Sequence, residues 1–589
     1  HQAIRASDSF ITISNEVAGG SGNGVGVNAL SRGTATITLD SGANVTASSG
    51  KAIVNDAGNS NVVANTGSAV VGSINLGGGR DTLNFAGGDF SGVTLFDGGA
   101  GLSDALSFMG SSGTLLGTSV KNWESLAIGS GSLITLNNDT GLSVPVTAIQ
   151  ASGTLRGLGV SSITSVLSNN GSVSTQDGIA GDALTLNGNY SGGGKLLLDT
   201  DFSTDTSDVF TINGDVTGGI TSVSVNDVSS GSATGNDVQV INVTGTTKIG
   251  DFTLGTPVVS GAYTYGDLSL TGSSWYLAAS SAALLNTTPT YEIYANALQR
   301  TTALSTFRER VGNRNWVIGD ADFSRGLWLQ IEGEHANVSP EQSTTNARFT
   351  QNTTKLRLGF DAPIFETGAG QLIAGINGFL GQSDVSVSSA IGNGTADIET
   401  KGLALTLSWL QESGFYADSQ LQFSQFDTNL AGVSGNSGKG VSASLEIGQT
   451  LDLQNGWAIT PQAQYIMSSV EFDDFVGTSA EAVSLNDGRT SQGSIGVLLD
   501  RDWTSESGQS NNIYGLFNLR KNIDGRSSVD VSGTELINVD DGVMAELGIG
   551  GELSLADDRY SIYGEVRGAN SLENATRTVA GNIGFKMAW

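Results

Sequence analysis

The chain has 589 residues, of which 83 are glycine, 6 proline, 2 histidine and none cysteine. Its 27 Lys and Arg against 57 Asp and Glu leave a net charge of −30, which repels phosphate backbones and sets nucleic-acid binding aside. Without cysteine there is no thiol nucleophile, disulfide or thiolate metal site, and His1 and His335 alone leave a histidine-dependent active site hard to build.

The length predicts two to four domains. Glycine at about twice its usual ~7%, with abundant Thr, Ser, Asn and Val, predicts many short strands and tight turns. No run of about 18 apolar residues is present, so no transmembrane helix is expected. The opening "HQAIRASDSF" has neither an initiator Met nor a signal-peptide pattern, and reads as a processed protein or the C-terminal part of a longer one.

Residues 1–150 show short strands between Gly, Asn and Asp turns, as in "GTATITLDSGANVTASSGKAIVNDAGNSNVVANTG". Many short rungs with stacked Val, Ile and Leu predict a parallel β-helix, which needs neither disulfides nor a large globular core. Two stretches, "GGGRDTLNF" and "GGAGLSDALSF", approach a Gly-Gly-x-Gly-x-Asp calcium repeat around Asp81 and Asp104. The first is one residue short of that pattern and the second one long, so ordinary solenoid corners are the expectation and no metal site is assigned.

Good helix formers run from Tyr291 to Val311. A helix of about 21 residues would span roughly 30 Å, the thickness of a bilayer's apolar core. It carries Glu292, Arg300, Arg308, Glu309 and Arg310, so it cannot face lipid; the alternatives are a wet channel interior and the surface of a soluble core.

From residue 322 the sequence repeats about ten alternating residues and then a polar break, from "GLWLQIEGE" to the closing "AGNIGFKMAW", twelve times. An even number of strands with one continuously apolar face predicts a closed 12-stranded transmembrane β-barrel. A soluble β-sandwich is the alternative. Glu332, Arg357, Asp418, Glu446, Arg520, Glu546, Glu565, Arg567 and Lys586 all fall opposite the apolar face of their strands, as a wet lumen requires. Trp328, Trp409, Tyr416, Trp457, Tyr560 and Trp589 are expected to form interfacial girdles. Parity also predicts that Arg300, Arg308, Arg310 and Arg314 of the linker meet Glu332, Asp418, Glu446 and Glu546 inside the barrel. His335 reads as a solvated rim residue.

Three motifs carry a family resemblance. "GAYTYGDLSLTGSSWYLAAS" places Tyr263 and Tyr265 before Trp275, Tyr276 and Leu277; "LSTFRERVGNRNW" precedes the first barrel strand; and Asn582, Gly584, Met587 and Trp589 fit a polar-x-Gly-x-x-hydrophobic-x-aromatic ending. In this order they resemble the monomeric autotransporters of Gram-negative bacteria. The resemblance implies an all-β chain: a right-handed parallel β-helix passenger segment at 1–150, a C-terminal passenger cap with autochaperone character at 151–285, a linker α-helix through the lumen at 286–320, and the translocator barrel at 321–589.

It further implies that the barrel sits in the outer membrane and displays the passenger at the cell surface, folding outward from the cap. Partners are outer-membrane lipid, the barrel-assembly machinery that would read Asn582, Gly584, Met587 and Trp589, and periplasmic chaperones. A host-surface or matrix ligand is also expected, and the chain is expected to act as a monomer without cofactor. No Asn-Asn pair lies in the linker, which offers only Asn313 to Asn315, so intrabarrel self-cleavage is not expected. An adhesin is the leading reading of the passenger. The alternative is a serine protease or esterase whose catalytic domain lies upstream, since no activated serine is recognisable in this chain. A free-standing porin fits poorly with the N-terminal solenoid and the linker.

Overall fold

The computed structural model describes all residues except 7–9, 31, 57, 279–281, 313–324, 506–507, 556–558, 574 and 589. The chain divides into two units, His1–Ala283 and Leu284–Trp589.

The first unit is a parallel β-solenoid. Successive coils pair in register, so that Ile13, Leu39, Ala64, Phe85, Phe108, Ile128 and Ile149 stack in one inward column. Every one is at most 4% exposed, and each Ile, Leu or Phe among them contributes about 1.5–3 kcal/mol on burial. Alternation with outward Thr, Ser and Asn follows from the period of two along each strand. Phe85, Phe90, Phe96 and Phe108 meet across the core with ring centroids 4.7 to 6.4 Å apart.

The ladders run through residue 150 without a break: Leu133–Asn137 pairs with Thr154–Leu158, and Leu142–Ile149 with Val160–Asn169. Parallel pairing persists to Phe252–Leu254. The solenoid architecture therefore does not change at residue 150. The end of the stack is closed by antiparallel strands, Ser274–Leu277 lying between Val238–Val243 and Leu268–Thr271, so the last parallel strand is not left as an open edge.

At four strands of the main column the opening corner is held by a carboxylate. Asp81 accepts from Ser60 N at 2.5 Å, Asp104 from Asp81 N at 2.8 Å, and Glu124 from Asp104 N at 2.7 Å. Asp208 repeats the device further along, accepting from Asp182 N at 2.9 Å. Asp81 and Asp104 are fully buried. Burial pushes the Asp81 carboxyl up to about 6 and raises Asp104 in the same direction; burial likewise holds Asp182 at about 6. The two residues singled out for calcium are thus corner caps, and among the described residues no three His, Asp or Glu are placed to share a metal ion.

The second unit is a closed antiparallel barrel of twelve strands: Gly326–Val338, Arg348–Thr367, Gly370–Ser388, Gly394–Leu410, Phe415–Leu430, Val433–Gln449, Trp457–Phe472, Arg489–Thr504, Ser510–Asp524, Val543–Leu555, Tyr560–Ser571 and Arg577–Ala588. The last closes on the first from Gly326 opposite Ala588 to Asn337 opposite Arg577. Leu, Ile, Val and Phe project outward as an exposed apolar belt, which in a lipid bilayer is the buried face.

Connections at one end are short, as between Thr367 and Gly370. At the other, the three connections after Val338, Phe472 and Asp524 are long and build a five-stranded sheet from Gln342–Ser343, Thr534–Val539, Arg526–Val531, Ala482–Asp487 and Phe475–Val476. In outer-membrane barrels the longer loops face outward and the short turns face the periplasm.

The linker differs from the single helix expected over Tyr291–Val311. It forms α1, Thr288–Thr301, and α2, Phe307–Val311, with a break between them. The cause is local. Thr301 and Thr302 turn their hydroxyls back onto Leu298 O and Gln299 O, competing with the helical ladder. Thr306 then starts α2 with a capping box, its side chain accepting from Glu309 N while Glu309 accepts from Thr306 N. At about 1.5 Å per residue, the 14-residue α1 spans roughly 21 Å.

Candidate functional site: the helix-filled lumen

α1 is buried on nearly every side, although it contains Thr, Asn and Glu. That is affordable only because its polar groups find partners. Glu292 accepts from Thr345 N at 2.8 Å, the Tyr291 hydroxyl donates to Glu481 at 2.8 Å, Tyr294 donates to Asn436 at 2.9 Å, and Asn296 donates to Asn538 at 3.1 Å. These partners lie in or beside the long connections, so the N-terminal end of α1 faces that end of the barrel. Lower down, Thr302 and Ser468 share a hydrogen bond of 2.9 Å across the helix and barrel wall.

Glycine makes the close approach possible. A Cβ at Gly394 would lie 2.1 Å from Thr290 Oγ1, and one at Gly440 would lie 3.0 Å from Thr302 Cγ2.

α2 is the charged contact. Arg310 donates to Asp418 at 2.5 Å and to Thr406 at 3.3 Å, with Asp361 at 3.9 Å. Arg308 lies 3.6 Å from Asp500, donates to Asn512 at 3.2 Å, and covers the Tyr514 ring at 4.7 Å. Glu309 pairs with Arg567. Glu446 accepts from the backbone N–H of Phe307 at 2.9 Å and from Tyr416 at 2.8 Å, while Phe307 stacks on Tyr416 at 5.4 Å. Gln330 donates to Glu309 O at 2.6 Å, and Tyr563 donates to Arg310 O at 2.8 Å.

Of the carboxylates selected by parity, Asp418 meets a linker arginine directly and Glu446 meets the linker backbone. Glu332 instead pairs with Arg357 of the neighbouring strand at 2.7 Å, and Glu546 pairs with Arg520 and Arg567. Arg300 takes Glu334, at 2.7 Å. Parity could find the inward set but not the height of each group, so Glu334, Asp361 and Asp500, all on inward positions, went unselected. Arg314 lies outside the described residues.

Two girdle expectations are corrected. Trp328 is 2% exposed, with its indole Nε1 donating to Asp361 at 3.0 Å, and Tyr416 bonds Glu446; both face the lumen. The alternation that puts Leu327 and Leu329 outward forces Trp328 inward, and Gly359 opposite leaves room for its ring. Trp457 is exposed on the outer surface under Arg501 at 5.6 Å, and Tyr560 stacks on Phe585 at 6.0 Å. Trp409 shares the outward parity of Leu403, Leu405 and Leu407. Trp589 lies outside the described residues.

In the last strand Asn582 stands opposite Glu332 and Glu565, Gly584 opposite Gln330 and Tyr563, and Met587 opposite Leu327 and Tyr560. A Cβ at Gly584 would strike the Tyr563 ring at 2.1 Å, so this glycine gives Tyr563 the space from which it holds α2. Tyr265 stacks on Phe202 at 4.3 Å; Trp275 donates to Thr247 at 3.2 Å and meets the edge of Phe252 at 5.3 Å. With buried Leu277, they seal the solenoid end; Tyr263 and Tyr276 are half-buried beside them. His335 is exposed, bonded to Asn352 and Asn337.

Known proteins carry the same parts. Residues 327–567 match the autotransporter beta-domain family and residues 161–266 match the autochaperone domain type 1 family. The chain is 34% identical over 464 residues to the adhesin BmaC autotransporter of Brucella suis, which covers 69% of this chain and 14% of BmaC. It is 26% identical over 224 residues to the pertactin autotransporter of Bordetella bronchiseptica, covering 37% of this chain and 24% of that one. Among solved structures, the transport unit of AIDA-I from Escherichia coli aligns with 51% of this chain and 99% of its own, at a TM-score of 0.41 and 18% identity. The chain spans less than a third of the length of these curated relatives. Its translocator barrel belongs in the outer membrane, and the chain is a member of the autotransporter family.

Proposed function

We propose that Leu284–Trp589 carries the solenoid across the outer membrane and anchors it at the cell surface, where it acts by adhesion and not by catalysis. The observation that supports this most is the threading of the linker: α2 is held in the lumen, and the chain leaves past α1 at the long-loop end. Folding of 151–285 ahead of 1–150 would bias export without ATP, because each coil templates the next and the sealed end at Trp275 gives the stack a stable start.

The named adhesin and pertactin relatives favour an adhesive surface, with a host-surface or matrix ligand bound over area. Insertion would depend on periplasmic chaperones and on barrel-assembly machinery reading Asn582, Gly584, Met587 and Trp589. The test is protease digestion of intact cells expressing the chain behind a signal peptide, followed by electrophoresis with and without heating. A protected, heat-modifiable fragment of about residues 290–589, with the solenoid digested from outside, is the expected result. Full protection of the solenoid refutes surface display.

A further inference from the structure

The outward surface of the second to sixth barrel strands carries a groove that export does not use. Its part nearer the short turns is apolar, about 830 Å³, and walled by Leu356, Leu358, Leu380, Leu403, Phe423 and Val441. Gly378 keeps the floor open, since a Cβ there would meet nothing closer than Leu403 at 3.6 Å. Its part nearer the long loops is polar, about 700 Å³, and bounded by Gln382, Glu399, Gln425, Asp427 and Ser437. Lys401 and Lys439 border both parts.

The register puts Leu380 opposite Lys401, Lys401 opposite Gln425, and Gln425 opposite Lys439. The two lysines therefore stand in one lateral row, two strands or about 10 Å apart, close enough for both flexible side chains to reach one anion. Among the described residues neither has an ion-pair partner. Glu399 and Asp427 lie opposite each other one row nearer the loops, and Glu471 lies beside Lys439 in the register.

An unpaired ammonium at the rim of an apolar belt is costly unless it reaches head-group level and meets an anion there. Acyl chains match the groove below the lysines, and hydroxyl or amide groups match the polar hollow above. Glu399 and Asp427 would repel an anion placed any higher and Glu471 one placed beyond Lys439, which leaves the phosphate the space between the two lysines. The long loops mark this as the outward-facing leaflet.

We propose that the groove binds one acylated, phosphate-bearing lipid of that leaflet, with its phosphate between Lys401 and Lys439 and its chains along Leu358, Leu403 and Phe423. The proposal rests on the membrane placement of the barrel and is independent of what the solenoid binds.

Native mass spectrometry of the full chain in mild detergent tests it, with a diphosphorylated, acylated glucosamine disaccharide as probe. One lipid per chain is expected. Lys401→Gln with Lys439→Gln should weaken binding about thirty-fold, each lysine being worth about five-fold against an anionic head group. Lys521→Gln, an exposed outward lysine on the ninth strand away from the groove, should leave binding unchanged. Gly378→Leu, which fills the floor and keeps both lysines, should also weaken it, and heat-modifiability confirms that each variant is folded. Equal binding by the double variant, an equal loss in Lys521→Gln, or complete displacement by inorganic phosphate would each overturn the proposal; the last would mean an anion site without a role for the acyl chains.

Discussion

Replacing Asp418 by Asn removes the charge that faces Arg310 while keeping the shape of the side chain. The Arg310 side chain is 4% exposed and that of Asp418 is 0%, so water cannot take over as partner. Arg310 would retain Thr406 and Asp361, the latter at 3.9 Å. Breaking a buried pair costs about 3–5 kcal/mol, and the remaining Asp361 reduces this to about 2–4 kcal/mol. Because the loss falls on the seated helix, it shifts the balance between seated and displaced linker by roughly 30- to 700-fold at 1.4 kcal/mol per tenfold. Planar-bilayer recording of the full chain reads this balance as the fraction of time in a high-conductance state. Arg310→Gln combined with Asp418→Asn should be less damaging than the sum of the singles, with a coupling above about 1 kcal/mol. A change below about threefold in Asp418→Asn, or strict additivity in the pair, would refute the assignment of this contact as the linker's main charged anchor.

Gly440→Val places branched carbons against Thr302 Cγ2, where even a Cβ would sit at 3.0 Å; it should unseat α1 and raise conductance, whereas the same change at Gly333, which has open space around it, should not. Phe108→Ala empties the aromatic centre of the solenoid and should cost it about 3–5 kcal/mol in urea unfolding, with no change in the barrel's heat-modifiability. Asp81 and Asp182 have folded values near 6 against an ordinary 3.8, so the folded solenoid binds more protons between those values. Their contribution is fully present below about pH 4 and is lost as the pH rises through 6, so urea midpoints should increase from pH 7 to pH 5. Each is worth at most about 3 kcal/mol, and less where water screens the carboxyl. Asp81→Asn should flatten that dependence, and an unchanged slope would contradict the buried-carboxylate account.

The barrel was legible because its strands alternate cleanly: Leu327, Leu329 and Ile331 point one way and Gln330, Glu332 and Glu334 the other, and closure follows from strand count and the edge problem. The solenoid was legible as a class, since Gly and Asn turns between short Val and Ile runs admit few other architectures. Its corner carboxylates were not, because a Gly-Asp turn in sequence does not disclose that Asp81 will sit one coil below Ser60. The break in the linker is written in "TTALST", where the Thr301–Thr302 pair and the capping box at Thr306 outweigh helix propensity, but propensity alone reads straight through it. The lumen pairings escaped for a related reason: parity fixes the face of a residue, while partners such as Arg310 and Asp418 depend on barrel stagger and on where α2 stops.

The most direct test of a linker seated in the lumen uses the absence of cysteine from the chain. Thr302→Cys and Ser468→Cys replace two hydroxyls 2.9 Å apart, one on the linker and one on the barrel wall. In intact cells that display the solenoid to external protease, these thiols should form a disulfide, seen as a reduction-sensitive shift in the electrophoretic mobility of the barrel fragment. Thiols that stay unpaired and react freely with a small maleimide would contradict the account, because the linker would then lie elsewhere after export.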